Sequence, residues 1–213
     1  RGARARAAGA RRVELLPTVV DLDRYQPTAT ERADSATPTV GWIGTPLTSR
    51  YLAPVLPALH RLLETTGARL HLVGADPQLQ TTDRVSVIPW TEAAEVDAIR
   101  RVSIGIMPLQ DSPWERGKCG YKLIQYMACS LPVVCSPIGV NRAIVEVGVN
   151  GFHATDVASW YRTILQLLEN PRQAARLGAA GRRKVERRYS LQVTAPRLAQ
   201  ILRDAAIERG AGA

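Results

Sequence analysis

Between residues 39 and 155 the sequence alternates short apolar runs with longer stretches of helical periodicity, and this rhythm constrains the fold more than any other feature. The runs are TVGWIG (39–44), RLHLVG (69–74), RVSVIPW (84–90), SIGIMPL (103–109), LPVVCS (131–136) and NGFHAT (150–155). Short runs rich in β-branched and aromatic residues are strand-like, and nearly continuous apolar ones suit strands covered on both faces. Between the first two runs, Leu52, Val55, Leu56, Leu59, Leu62 and Leu63 fall at helical spacing, and Gly67 stops the pattern. TEAAEVDAIRRV (91–102) carries acid in its first turn, as a helix N-terminus favours. A helix is predicted from about residue 118, and helices from about 156 to 208, broken near NPRQ and YSLQ. Strands that alternate with helices predict an α/β fold with a parallel sheet flanked by helices.

The rest of the chain is less regular. Residues 1–12 read as a basic arm or the remnant of a preceding helix, 13–27 as a strand and linker, 28–38 as a polar loop and 209–213 as a tail. The main domain is predicted over residues 13–208. A chain of 213 residues with 46% hydrophobic residues can bury a substantial core. No run is long and apolar enough for a transmembrane helix, and no signal peptide is visible. The first residue is arginine, so a processed chain or a fragment of a longer protein is expected. The three cysteines, Cys119, Cys129 and Cys135, form no CxxC pair, which disfavours zinc and a disulfide framework and leaves a reducing cytoplasm as the expected compartment. The net charge of +9 suits phosphate-bearing ligands, nucleic acid or an anionic membrane. Its densest clusters are RGARARAAGARR (1–12) and GRRKVERR (181–188), which read as solvated faces.

In parallel α/β sheets, ligands sit beyond the carboxyl ends of the strands. The candidate residues therefore follow the strands: Gly44, Thr45, Thr48 and Arg50; Pro89 and Trp90; the 108–118 loop with Gly117; and Gly139, Val140 and Asn141. In a helix from 118, Lys118, Lys122, Gln125 and Cys129 share one stripe while Leu123, Ile124 and Met127 reach the core. Lysine at a helix N-terminus opposes the macrodipole by about 0.3–1 kcal/mol, and a bound phosphate would reverse that penalty. Neither GxxxxGK[ST] nor GxGxxG is present, so this is not a P-loop and an NAD site is disfavoured.

Taken together, these segments resemble the C-terminal, donor-binding domain of GT-B glycosyltransferases of family 4. LPTVVDLDRYQP resembles that family's entry into the domain, and VGWIGT its first strand and glycine loop. KLIQYMACSLPVVCSPIGVN is similar to its most specific segment, and VEVGVNGF to a later one. The likeness implies a Rossmann-like sheet, the C-terminal half of a GT-B fold, with an N-terminal acceptor domain missing from this chain. It departs where the family carries two glutamates with seven residues between them: the second falls on Gln125, the first on Gly117. A family Arg/Lys pair near the first strand reads Thr45 and Arg50. Lys118 and Lys122 resemble a subgroup with a GKCxxK pattern and are expected to share the diphosphate charge.

The resemblance implies a full-length enzyme that transfers a sugar from a UDP or GDP sugar with retention, without metal or other cofactor. Lys118 and Lys122 would stabilise the diphosphate, with Arg50, Thr45 and Thr48. Gln125 would hold the ribose, Pro89 and Trp90 would frame the base, and Gly139, Val140 and Asn141 would line the sugar. The fragment alone is expected to bind donor weakly and turn nothing over. A bacterial envelope glycan as acceptor, and association with the inner face of the membrane, follow from common use of such enzymes. Two other readings suit the charge and the fold less well. A GT-B-like sugar-nucleotide epimerase would want acid/base side chains, for which His153 and Glu146 are poor evidence. A basic nucleic-acid module would interleave aromatics with its arginines, and the arm has none.

Overall fold

The computed structural model describes residues 2–27 and 37–210. The polar loop predicted at 28–38 falls largely outside the described residues, as do most of the 209–213 tail and Arg1. Six strands form one sheet: β1 (Thr39–Ile43), β2 (Arg69–Val73), β3 (Val85–Ile88), β4 (Ile104–Met107), β5 (Val133–Cys135) and β6 (Gly151–His153). Their order is β3-β2-β1-β4-β5-β6 and every pairing is parallel. This is a doubly wound, Rossmann-like sheet whose strand order reverses between β1 and β4.

Helices cover both faces because successive strand residues point to opposite sides. Val40, Trp42, Leu70, Leu72, Ile104, Ile106 and Val134 pack with α2 (Leu56–Thr65) and α6 (Val157–Glu169). Ile43, Val73, Met107, Val133 and Cys135 pack on the other face with α3 (Glu95–Arg100), α4 (Tyr121–Ala128) and Val185 of α7 (Pro171–Arg188). The remaining helices are α1 (Gly2–Ala7), α5 (Asn141–Ile144) and α8 (Leu191–Gly210). Residues 13–27 do not form the expected strand. Val20 alone makes a bridge, to Ser190, and binds the backbone of Tyr189 and Leu191.

The 181–188 cluster is not simply a solvated face. Arg182 donates to the carbonyls of Tyr25 and Ala128, and Lys184 to the Ala143 carbonyl and to Glu146. Among the described residues no helix is long and apolar enough to cross a membrane.

The sheet opens where its strand order reverses. The β1–β4 ladder pairs Val40 with Ile104 and Gly41 with Gly105. Beyond it, the Ile43 N–H donates to the Tyr126 hydroxyl at 2.9 Å. The Tyr126 ring lies on Gly105, where an added Cβ would stand 2.3 Å from the ring. A glycine in β4 thus admits an aromatic ring from α4, and the ring's hydroxyl satisfies a backbone donor left by the parting strands.

Candidate functional site

A cavity of about 820 Å³ occupies the carboxyl edge of the sheet, at the reversal between β1 and β4. That is the size of a cleft that engulfs a ligand of several hundred daltons. Its walls include Gly44, Thr45, Thr48, Trp90, Gly117, Lys118, Lys122 and Gln125, all expected from the sequence. Glu95, Trp114 and Tyr121 also line it and were not singled out there.

The first wall is the turn after β1. Thr45 caps a 3₁₀ helix, Pro46–Tyr51. The Thr45 N–H donates to the Thr48 hydroxyl at 2.9 Å, and that hydroxyl donates back to the Thr45 carbonyl at 3.0 Å. This reciprocal arrangement fixes the loop with polar atoms at the cavity edge.

The second wall carries the lysines, and here the sequence-based register is corrected. The helix begins at Tyr121, not near 118. Gly120 precedes it with φ of 71°, in the left-handed region that glycine adopts readily, and an added Cβ would lie 2.4 Å from Ile144 Cδ1. Lys118 follows a short turn, Glu115–Gly117, in extended conformation. It therefore belongs to the loop and does not share a helical stripe with Lys122. Gln125 and Cys129 are buried, at 2% and 0% exposure.

Both ammonium groups lie over aromatic rings, Lys118 Nζ 5.0 Å from the Tyr51 centroid and Lys122 Nζ 5.3 Å from that of Trp42. Ring quadrupoles attract cations at such distances. Burial, with the nearby Lys118 charge, lowers the pKa of Lys122 from 10.5 to about 8. Lys122 is thus a cation held with little compensation, a state that a bound anion relieves.

The lysine loop is braced by Glu115. This carboxylate, 6% exposed, accepts from the Tyr51 hydroxyl at 2.5 Å and from the Ser112 hydroxyl. Those donors hold its pKa below the ordinary 4.5. Glu115 is therefore engaged inside the loop.

The third wall joins distant segments. Gln125 Nε2 donates to the Tyr25 hydroxyl at 2.8 Å, and that hydroxyl donates to Glu95 Oε1. Glu95 Oε2 accepts from Trp90 Nε1 at 2.8 Å, and Arg24 lies 3.6 Å from Oε1. Trp90 is anchored through its indole nitrogen yet remains 49% exposed. Trp114 is another large aromatic on the cavity, 74% exposed. Its place in the 108–118 loop was the signal available for it in the sequence; Glu95 offered none beyond its place in an acidic first helical turn.

Other expected residues lie elsewhere. Arg50 is exposed, with its guanidinium 5.2 Å from the Tyr51 ring, and does not line the cavity. Pro89, next to Trp90 in sequence, is exposed but is not part of the wall. Gly139 sits against the backbone of Arg116, where its Cβ would be 2.6 Å from a carbonyl oxygen, and borders a separate depression with Asp111, Arg116 and Arg142. Val140 is exposed, and Asn141 is buried with its amide donating to the Ser136 carbonyl at 3.1 Å. Arg116 of the 108–118 loop packs on Gly139, and residues 139–141 do not line the main cavity. Among the described residues no cluster of three or more His, Cys, Asp or Glu side chains is placed to hold a metal.

A family profile described as "Glycosyl transferases group 1" matches residues 37–170. No curated protein matches the sequence significantly. Among solved structures, HepE of Anabaena in complex with UDP and glucose superposes with a TM-score of 0.76 at 17% identity, covering 94% of this chain and 60% of that one. Sucrose-phosphate synthase of Thermosynechococcus elongatus gives a TM-score of 0.77 at 20% identity, over 97% of this chain and 56% of that one. The C-terminal domain of a Francisella tularensis glycosyl transferase group 1 protein, LpcC, gives 0.60 at 14% identity, with 81% and 99% covered. The chain thus spans rather more than half the length of the first two proteins. At these identities the likeness concerns the fold, a parallel sheet matching GT-B glycosyltransferase C-terminal domains.

Proposed function

Because the chain belongs to the glycosyl transferases group 1 family, we propose that it is the donor-binding domain of a retaining, metal-independent family 4 glycosyltransferase of the GKCxxK subgroup. The observation that carries this reading is the cavity at the sheet reversal, with Lys118 and Lys122 on one wall and the Thr45–Thr48 turn on another. A nucleotide diphosphate sugar, with UDP or GDP as carrier, matches that arrangement. Its diphosphate would lie near the two ammonium groups, its nucleoside toward Gln125 and Trp90.

Transfer of the sugar leaves negative charge on the departing diphosphate. Preorganised cations stabilise that charge without reorganising during the reaction. Lys118 and Lys122 supply the two charges, and the turn after β1 can add backbone and hydroxyl donors. The acceptor half of the enzyme would come from a second Rossmann-like domain outside these residues, so this chain alone binds donor without turnover.

Calorimetric titration with UDP, GDP, their glucose and mannose derivatives and a short oligonucleotide tests the reading. Saturable binding of a nucleotide diphosphate is expected, weakened in Lys118→Ala and Lys122→Ala. Binding of the oligonucleotide alone would refute the donor reading. Unchanged affinity in both variants would remove the lysines from the site.

A further inference from the structure

Resting on that donor reading, we propose that Glu95 is the ribose-recognising residue of the cavity, with Gln125 as its obligate neutral partner. Glu95 lines the cavity yet is only 8% exposed. A buried carboxylate is retained in an apolar setting only if its charge is well satisfied. Here Tyr25, Trp90 and Arg24 provide donors and a nearby positive charge.

These partners do not saturate it. An ionised carboxylate offers about four lone-pair sites on two oxygens, and each oxygen holds one close hydrogen bond, to Tyr25 and to Trp90 respectively. Two adjacent oxygens with remaining acceptor capacity suit two adjacent hydroxyl donors, which is the chemistry of a ribose diol. Position favours ribose over the transferred sugar. Glu95 opens α3, just after β3, and holds Trp90, whereas Lys118 follows β4. A nucleoside whose base lies along Trp90 brings its ribose over Glu95 as its diphosphate reaches toward the lysines.

The same network accounts for the amide at 125. The Tyr25 hydroxyl has one proton, and Glu95 accepts it. Any group facing the Tyr25 oxygen from α4 must then be a donor. Gln125 Nε2 meets that need at 2.8 Å, and a glutamate there would set two carboxylates against one proton. The departure from the glutamate implied by the resemblance follows from placing the carboxylate on α3.

The test compares UDP and GDP with their 2′,3′-dideoxy counterparts by calorimetry, on the native chain and on Glu95→Gln, with thermal melting as the check on folding. The native chain should prefer the ribonucleotide by about tenfold or more, as hydrogen bonds to a charged acceptor allow. Glu95→Gln should bind the dideoxy form as the native chain does and show a preference within about twofold. A preference retained in Glu95→Gln, or affinity lost equally for both forms, would overturn the proposal. If the native chain bound neither UDP nor GDP, the donor reading itself would fail. If Glu95→Gln melts early, the chain carrying both Glu95→Gln and Gln125→Glu replaces it. Its hydrogen bonds can all be made with the Tyr25 proton reversed, so it should melt like the native chain and lack the ribose preference. Return of that preference would overturn the assignment to Glu95.

Discussion

Replacing Lys122 by methionine is expected to make the ligand-free protein more stable near pH 7. In the unfolded chain the lysine has its ordinary pKa of 10.5; in the fold, burial and the Lys118 charge bring it to about 8. Below pH 8 the group is protonated in both states, and the folded state bears the full penalty of a half-buried, repelled cation. Between pH 8 and 10.5 the unfolded chain holds a proton that the folded chain has released, so stability rises with pH across that window. At about 1.36 kcal/mol for each pH unit, the penalty is roughly 3 kcal/mol. Loss of the Trp42 contact removes about 0.5–2 kcal/mol of stabilisation, leaving a net gain of about 1–3 kcal/mol. Methionine fills a similar volume and leaves no buried charge. For a chain of this size the gain corresponds to about 2–4 °C in Tm for each kcal/mol. Urea unfolding of both chains at pH 7, 8, 9 and 10 measures the gap, which should shrink as pH rises. A variant less stable than the native chain at pH 7, or a gap independent of pH, would refute this account. UDP affinity should move the opposite way and fall about tenfold or more with the loss of a charge-assisted contact, a trade of stability for function.

Gln125→Glu alone should destabilise the chain by about 1–3 kcal/mol in chemical denaturation, because a buried acceptor loses its donor; adding Glu95→Gln should recover most of that. Tyr126→Phe leaves the Ile43 N–H unsatisfied where β1 and β4 part, and should lower stability by about 1–3 kcal/mol, with faster hydrogen exchange at Ile43. Tyr51→Phe removes a donor from Glu115 but keeps the ring beneath Lys118, so it should lower Tm by a few degrees and, through the loosened lysine loop, weaken UDP binding in calorimetry. Since hydrogen bonds hold the Glu115 pKa below 4.5, its contribution to stability is complete above that pH and is lost on further acidification. The melting difference between native and Tyr51→Phe chains should therefore narrow at low pH.

The strands, their parallel pairing and the gathering of cavity-lining residues beyond strand ends were legible in local patterns. Period and apolarity report which segments need burial, and strand–helix alternation leaves few arrangements that bury them. Gly44, Thr45, Thr48, Trp90, Lys118 and Lys122 were found because they follow strands. The helix start was misplaced because GKCGYK is compatible with a helix in either register until Gly120 is set against Ile144. Gly139, Val140 and Asn141 were expected in the same cavity because they also follow a strand, but Gly139 is packed against Arg116 and none of the three lines it. Tertiary structure alone decided the chemistry around Gln125: Tyr25, Glu95 and Gln125 meet across separations of 70 and 100 residues. Periodicity tells which side of an element is buried, not which distant hydroxyl will share its single proton there. That choice arises only when packing brings the three groups together and removes the water that would otherwise satisfy each.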